Sequence, residues 1–298
     1  MERRPVTFFS DGLRLDGELY LPSGLEPGER RPAVIACSGY QGLKVIHPAR
    51  FARALVPDGY VCLTFDYRGF GRSEGARGRL VPQEQCEDVR AGISFLETIP
   101  EVDADAISLV GWALGGSVAI ATAADDERVG RVVAINPIGD GRRSTHFMHD
   151  DDSWRGLLER VEADRRQRSL AGVSEQVDPF DVVRLDGVTK TYVDEELRRE
   201  DGFGSDVSLE SADFLLRFRP ADVVSRIAPR PLLLIHGLEN GLHSPQESQD
   251  LFARAGEPKR LELLDGSGHT EWAFDEHPTF QQVATLVREF IGEGSGKT

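Results

Sequence analysis

Long apolar runs are absent from this sequence. No stretch of its 298 residues approaches the length of about 18 consecutive apolar residues that a membrane-spanning helix needs. Arg3 and Arg4 lead straight into a strand-like run, with no apolar core of a signal peptide behind them. We therefore expect neither a signal peptide nor a membrane partner.

Positive charge is also in short supply. Lys and Arg number 35 against 50 Asp and Glu, which gives a formal net charge of −15. Such a protein repels the phosphates of nucleic acids and the surface of anionic membranes. The composition therefore argues against a nucleic-acid partner. It does not identify a substrate; a small-molecule partner is our expectation from the motifs below, and a homodimer stays possible.

Cysteine is scarce, and its number is odd. Cys37 and Cys62 lie in apolar strand-like runs, and Cys86 lies on a predicted helix. Buried, reduced thiols are the simplest interpretation of these positions. We therefore predict a cytoplasmic protein without disulfides.

Signatures of metals and cofactors are weak. His146 and His149 stand beside the acidic run 150–152, which could form a metal site, but a polar surface is the favoured interpretation. The tail 292–298 ends like a phosphate-binding Gly-Lys-Thr loop, yet its first glycine is one residue too close and no strand–turn–helix can follow. We expect a frayed tail, no metal and no cofactor. Four other histidines show no convincing spacing of metal ligands: His47, His236, His243 and His277.

Strand-like and helix-like segments alternate along most of the chain. Residues 6–21 predict an antiparallel hairpin that turns at Asp11-Gly12. Such alternation favours an α/β fold with a mostly parallel central sheet covered by helices on both faces. The further predicted strands are 33–37, 60–65, 106–110, 129–135, 231–235 and 260–264, and the predicted helices are 48–56, 82–99, 115–124, 245–255 and 278–291.

The alternation stops between residues 138 and 218. This segment is dense in Asp, Glu and Arg, with helical-looking pieces such as 154–170 and 193–199. Insertions after this strand fall at the edge of the sheet where α/β folds bind ligands. We therefore predict a helical cap at 138–218 between two parts of a core, 1–137 and 219–298. A peripheral decoration without a role at the site is the alternative.

The rest of the chain is organised around the segment 107–116, with the sequence ISLVGWALGG. It predicts a buried strand, a sharp turn and a helix that opens with small residues. Gly111 and Gly115 flank Ala113 with the spacing of the G-x-S-x-G elbow, whose middle residue is the nucleophile. The scaffold of a nucleophile is therefore present, and the nucleophile is replaced by alanine.

Together with three further segments, this elbow resembles the α/β-hydrolase superfamily. The closest resemblance is to esterase and dienelactone-hydrolase-like members with a helical cap. Residues 65–75 (FDYRGFGRSEG) resemble the turn after the fourth strand of that fold, and 234–240 (LIHGLEN) resemble the strand end that carries the triad acid. Residues 264–269 (LDGSGH) resemble the loop of the catalytic histidine. The order nucleophile, acid, histidine is the one expected for this fold.

The resemblance implies roles for single residues. His269 would be the general base that takes a proton from a nucleophile and returns it to a leaving group. The backbone N–H groups of Tyr40 and Leu114 would form the oxyanion hole, which survives the loss of a nucleophilic side chain. Ala113 would occupy the position of the nucleophile.

The acid position is a second departure from the family pattern. Without gaps the acid falls at Asn240, an amide that can orient an imidazole but cannot stabilise an imidazolium. Glu239 is the neighbouring carboxylate and is our favoured partner of His269. Asp140, just after the strand that ends near residue 136, is a further candidate.

Aromatic residues supply the candidates for substrate binding. Trp112 stands beside the nucleophile position, where it either lines the pocket or packs under the helix. Trp154, Tyr192 and Trp272 are weaker candidates.

Alanine at the elbow has three explanations. Loss of a triad nucleophile costs roughly 10⁶-fold in rate, so acyl transfer should nearly vanish. The favoured explanation is a serine or cysteine replaced by alanine in an otherwise complete site. That enzyme would be a hydrolase of an ester, lactone, thioester or amide bond in a small to medium molecule, acting through a nucleophile–His–acid triad. The alternatives are a lyase, cyclase or cofactor-free oxygenase that uses His269 without covalent catalysis, and a small-molecule-binding protein that has lost the chemistry.

Overall fold

The fold begins with an antiparallel hairpin at the edge of a large sheet. The computed structural model describes residues 1–270 and 272–293. Strands β1 (Glu2–Ser10) and β2 (Leu13–Leu21) pair along their whole length. Asp11 and Gly12 join them with φ angles of 48° and 80°. The predicted hairpin is confirmed and starts four residues earlier, at Glu2.

Eight strands form one mostly parallel sheet in the order β1-β2-β4-β3-β5-β6-β9-β10. β2 runs antiparallel to β4, and all pairs from β4 to β10 are parallel. The predicted α/β-hydrolase fold with its mostly parallel sheet is therefore confirmed. The remaining strands are β3 (Arg31–Cys37), β4 (Val61–Phe65), β5 (Val102–Trp112), β6 (Val129–Ile135), the short β7 (Gln176–Val177) and β8 (Val207–Ser208), β9 (Leu232–Gly237) and β10 (Lys259–Leu264).

Helices cover both faces of this sheet. On one face lie α1 (His47–Leu55) and α10 (Pro278–Gly292), and on the other lie α2 (Pro82–Leu96), α3 (Leu114–Asp125) and α9 (Gln246–Arg254). Successive residues of a strand point to opposite faces. In β3, Val34 and Ala36 pack on the side of α1, whereas Ala33 and Ile35 pack on the side of α2. Both sides of the central strands are thus removed from water.

The connection from β6 to β9 holds a second group of helices. They are α4 (Gly141–Phe147), α5 (Asp151–Ala171), α6 (Pro179–Val182), α7 (Gly187–Glu195) and α8 (Glu210–Arg217). The helix predicted over 154–170 lies within α5. The helical piece predicted over 193–199 is confirmed in part, since α7 ends at Glu195 and a separate 3₁₀ helix covers Leu197–Arg199. The division of the chain at 138 and 218 stays a prediction. We call residues 138–218 the inserted segment.

Three smaller points complete the fold. Cys37, Cys62 and Cys86 are buried and unpaired. Within residues 1–270 and 272–293, no helix is both long enough and apolar enough to cross a membrane. The predicted frayed tail falls mostly on 294–298, outside the described residues.

Candidate active site

The nucleophile elbow is formed as its glycines predict. β5 ends at Trp112, α3 starts at Leu114, and Ala113 between them has φ 50° and ψ −121°. A positive φ is strained for any residue with a side chain. A Cβ atom on Gly111 would lie 2.2 Å from the carbonyl oxygen of Gly115, and one on Gly115 would lie 2.3 Å from that of Ser38. Only glycine fits at both positions, so the backbone of the elbow is fixed by its neighbours.

The loop after β3 runs directly beside the elbow. A Cβ atom on Gly39 would lie 3.8 Å from that of Ala113. The next residue, Tyr40, has a backbone N–H without a protein acceptor among the described residues. Leu114 is the first residue of α3, where an N–H has no acceptor within the helix. Tyr40 and Leu114 line the same cavity as Ala113, so two free backbone donors lie beside the turn at Ala113.

His269 lies in the loop after β10 and is buried, with 6% of its surface exposed. Its Nδ1 lies 3.1 Å from Nδ2 of Asn240. Burial, together with the nearby histidines 243, 47 and 236, lowers the pKa of His269 well below its usual 6.5. The imidazole is therefore neutral near pH 7. His269 and Ala113 line the same cavity.

Asn240 is held in one orientation by the turn that follows β9. Its Oδ1 accepts hydrogen bonds from the backbone N–H groups of Leu242 (3.0 Å) and His243 (2.9 Å). Its Nδ2 is therefore the atom that faces His269. Asn240 itself is buried, so water does not compete for these bonds.

The carboxylate predicted to partner His269 has to be corrected. Glu239 is exposed, and none of the described hydrogen bonds joins its side chain to His269. The backbone N–H of Glu239 donates a hydrogen bond to the carbonyl oxygen of Ser267 at 2.9 Å. The next residue, Asn240, points inward instead, because its side chain supports the turn. The partner of His269 is thus an amide.

Asp140 is also remote from this role. Its carboxylate caps the N-terminus of α4 by accepting from the backbone N–H groups of Arg142 (2.9 Å) and Arg143 (3.0 Å), and it pairs with Arg219. These contacts explain an aspartate at the start of a helix. They supply no orientation to His269.

Two further histidines face the cavity and were not recognised from the sequence. His47 stacks on Trp112 with ring centroids 4.5 Å apart, and burial lowers its pKa to about 3. His243 binds Ser144 Oγ through Nδ1 at 2.8 Å, and burial lowers its pKa to about 3 as well. Both are neutral near pH 7. No spacing rule in the sequence places them at the site, since their elements meet only in the fold.

Asn136 was missed too. Its Nδ2 donates to the carbonyl oxygen of His269, and its Oδ1 accepts from the N–H of Gly237, both at 2.9 Å. It thereby joins the ends of β6 and β9 to the histidine loop. Its φ of 49° is a conformation that Asn tolerates better than most residues. An asparagine directly after a buried strand was the available signal.

The cavity is apolar and partly covered by the inserted segment. It has a volume of about 90 Å³, enough for several water molecules. About half of its lining residues come from 138–218. Among the described residues, no Asp, Glu, Lys or Arg lines it. Its apolar side chains are Ile46, Trp112, Leu114, Ile138, Met148, Phe180, Val183, Leu185, Val193, Leu197, Phe203, Leu215, Phe218 and Leu242.

Of the four aromatic candidates, only Trp112 lines the cavity. Trp272 packs behind it, 4.7 Å away, and donates its indole N–H to the carbonyl oxygen of Gly268. Tyr192 packs edge-on against another ring. Trp154 lies at an outer surface depression. The last three predictions are therefore wrong for this cavity, because each ring is taken up by other packing.

The histidines considered for a metal have other partners. His146 stacks on Trp154 at 4.6 Å. His149 lies 3.3 Å from Ser153 Oγ and 3.1 Å from the carbonyl oxygen of Val182. Within residues 1–270 and 272–293, no group of three or more His, Cys, Asp or Glu side chains stands close enough to hold a metal ion.

The comparison with known families agrees with this geometry. The family described as serine aminopeptidase, S33, matches residues 28–276. The chain belongs to this family. It is an α/β-hydrolase of the S33 type.

Several relatives of the S33-type chain are similar over almost their whole length. A polyketide transferase (ATR5) of Stachybotrys chlorohalonatus is 29% identical over 90% of both chains. A thiohydrolase (aneE) of Aspergillus aculeatus is 26% identical over 87% of this chain and 83% of its own. The crystal structure of the α/β-hydrolase GrgF from a Penicillium species superposes with a TM-score of 0.82, at 24% identity and 98% coverage of both chains. At that identity the GrgF structure supports the fold alone.

Proposed function

We propose that this chain binds a neutral, largely apolar carbonyl compound in the cavity between Ala113 and His269. The compound is a small to medium ester, lactone, thioester or amide. One observation carries the proposal: the elbow, the two free backbone donors and His269 line one cavity, and none of the described residues puts a charged side chain in its wall. A charged ligand would lose its hydration there without gaining an ion pair.

The reaction that this geometry suits is acyl transfer from the bound compound to a nucleophile at position 113. The nucleophile would attack the carbonyl carbon, and the oxygen would gain negative charge beside the N–H groups of Tyr40 and Leu114. A proton would pass through His269 to the leaving group, and water would then release the acyl group. The thiohydrolase and polyketide transferases among the relatives make a thioester a reasonable first substrate to test.

With Ala113 this chain cannot form the acyl intermediate. We therefore expect the native chain to bind such compounds and to leave them intact. Binding of a neutral short-chain thioester, followed through the intrinsic tryptophan fluorescence of the chain and by calorimetry, tests the first half of the proposal.

The variant Ala113→Ser tests the second half. We expect it to release thiol from the same thioester slowly, because the amide at position 240 does not support His269 as a base, whereas Ala124→Ser, on the same helix but away from the cavity, should release none. Absence of binding by the native chain, or equal thiol release by the two variants, would contradict the proposal.

A second candidate function is favoured by the amide at position 240. A histidine partnered by Asn240 is suited to chemistry without a covalent intermediate, as in a lyase, a cyclase or a cofactor-free oxygenase. If the native chain itself converts its ligand and His269→Ala stops the conversion, this second function is correct. Binding without turnover in every variant would instead indicate a binding protein.

A further inference from the structure

We propose that Asn240 is a positioning residue that keeps the single ring proton of His269 on Nε2, so that the imidazole donates a hydrogen bond into the cavity. A triad base has the opposite arrangement, with the proton on Nδ1 and an unprotonated Nε2. The inference concerns the protein without ligand. Only its consequence for a bound carbonyl rests on the proposed function.

The first step is the orientation of the amide. Asn240 Oδ1 accepts from two backbone N–H groups, those of Leu242 and His243, at 3.0 and 2.9 Å. A flipped amide would turn its NH₂ group toward these two donors and would lose both hydrogen bonds in a buried place. The hydrogen-bond network therefore fixes Nδ2 on the side of His269.

The second step is the protonation of Nδ1. Nδ2 of Asn240 is a donor, and it lies 3.1 Å from Nδ1 of His269. A proton on Nδ1 would put two N–H groups head to head, so Nδ1 has to be the acceptor. A neutral imidazole carries one proton, which therefore resides on Nε2. The lowered pKa of His269 agrees with the neutral form.

His236 does not compete for the same amide. Its Nε2 lies 3.4 Å from Nδ2 of Asn240, but it also lies 2.9 Å from the carbonyl oxygen of His243. That oxygen can only accept a hydrogen bond, so Nε2 of His236 carries a proton and cannot accept a hydrogen bond from Asn240. Its Nδ1 then accepts from Ser248 Oγ at 2.7 Å. One assignment of protons thus satisfies the hydrogen bonds of Asn240, His236 and Ser248 together.

The consequence concerns the bound carbonyl compound. Nε2 is the ring nitrogen that Asn240 leaves free, and His269 lines the cavity. It therefore adds a third N–H donor to those of Tyr40 and Leu114. Such a site polarises a carbonyl oxygen without removing a proton from any group, which suits a chain that lacks a nucleophile.

A nuclear magnetic resonance experiment on the full-length, ¹⁵N-labelled protein tests the assignment. A two-bond ¹H–¹⁵N correlation spectrum near pH 7.5 distinguishes protonated from unprotonated ring nitrogens, and the variant His269→Gln identifies the signals of His269. We expect Nε2 protonated and Nδ1 unprotonated. Signals with the proton on Nδ1 would overturn the proposal, and the native spectrum decides this without any substitution at 240.

The variant Asn240→Asp tests the role of Asn240 itself. Asp has nearly the same shape, so one oxygen can keep the two backbone hydrogen bonds while the other accepts from His269. We expect Nδ1 to gain a proton and the pKa of His269 to rise. In the control Glu239→Gln, whose side chain is exposed, the spectrum should stay native. An Asn240→Asp protein that folds but keeps the native signals would overturn the role of Asn240. Because the readout needs no ligand, its failure would leave the binding proposal untouched.

Discussion

Under the proposed function, the elbow around Ala113 and the turn that holds Asn240 depart from the triad pattern in different ways. At the elbow, the strained backbone and its two close glycines are present, and the methyl side chain of Ala113 offers no reacting group. At the turn, the contact with His269 remains, but the direction of the hydrogen bond is reversed. The first change removes a reaction step, whereas the second changes what the histidine can do. Each change acts through one side chain, with the surrounding geometry retained.

The largest expected effect comes from repairing both positions together. A carboxylate at 240 would let His269 accept a proton from a serine at 113. Replacing the acid of a serine-protease triad by an amide lowers kcat by about 10⁴-fold. We therefore expect Ala113→Ser with Asn240→Asp to cleave an activated thioester on the order of 10⁴ times faster than Ala113→Ser alone. Initial rates of thiol release measure this ratio. Equal rates would show that the amide does not limit the histidine.

The backbone of the elbow gives the next largest effect. A Cβ atom on Gly115 would lie 2.3 Å from a carbonyl oxygen of the neighbouring loop. We expect Gly115→Ala to lower the free energy of unfolding by about 3 kcal/mol, since overpacking of this kind cannot relax without moving backbone. The matched control is Gly156→Ala in α5, where a Cβ meets no atom within 4 Å. For Gly156→Ala we expect the free energy of unfolding to rise by about 0.5–1 kcal/mol. Urea unfolding measures both, and similar losses in the two variants would argue against a rigid elbow.

The buried histidines on the two sides of the site predict a pH dependence of stability. The folded pKa is about 3 for His47 on the elbow side, and about 4 for His236 and about 3 for His243 on the turn side. All three lie below the unfolded value near 6.5, so below that pH the unfolded chain takes up protons that the folded chain does not. Their full contribution to the free energy of unfolding is present above about pH 6.5. It falls toward pH 4, by up to about 1.4 kcal/mol per pH unit for each histidine.

Urea unfolding at a series of pH values between 7.5 and 4.5 measures this slope. The variant His47→Phe removes one titrating group, so its slope should be smaller than the native slope by about one proton. Equal slopes in the two proteins would show that His47 is protonated in the folded state as well.

The smallest expected effect belongs to Glu239. Because its side chain is exposed and Asn240 holds His269, Glu239→Gln in the Ala113→Ser background should leave thiol release within about twofold. A loss of tenfold or more would restore Glu239 as the partner of His269 and would remove the contrast between elbow and turn.

The sequence predicted the elbow and the turn to different extents. The elbow could be predicted because the local backbone requires glycine at positions 111 and 115, and a short sequence motif contains both glycines. The alternation of strands and helices predicted the sheet for the same reason. The ungapped alignment also named Asn240, but carboxylate chemistry led us to favour Glu239. The turn decides between them through the N–H groups of Leu242 and His243, and such contacts leave no mark in the sequence.

The residues that line the cavity could not be predicted from the sequence. Trp154, Tyr192 and Trp272 looked like ligand-binding residues by type, but packing against other side chains occupies them. His47 comes to the site only because α1 packs beside the end of β5. Contacts between elements that are far apart in the chain depend on the whole fold, so neither composition nor spacing could assign them.

The most direct test of the account is a crystal structure of the native chain soaked with a non-hydrolysable amide analogue of the thioester. We expect the carbonyl oxygen within hydrogen-bond distance of the N–H groups of Tyr40 and Leu114 and of Nε2 of His269, with the carbonyl carbon above the methyl group of Ala113. An analogue bound outside this cavity, or with its carbonyl turned away from Ala113, would contradict it.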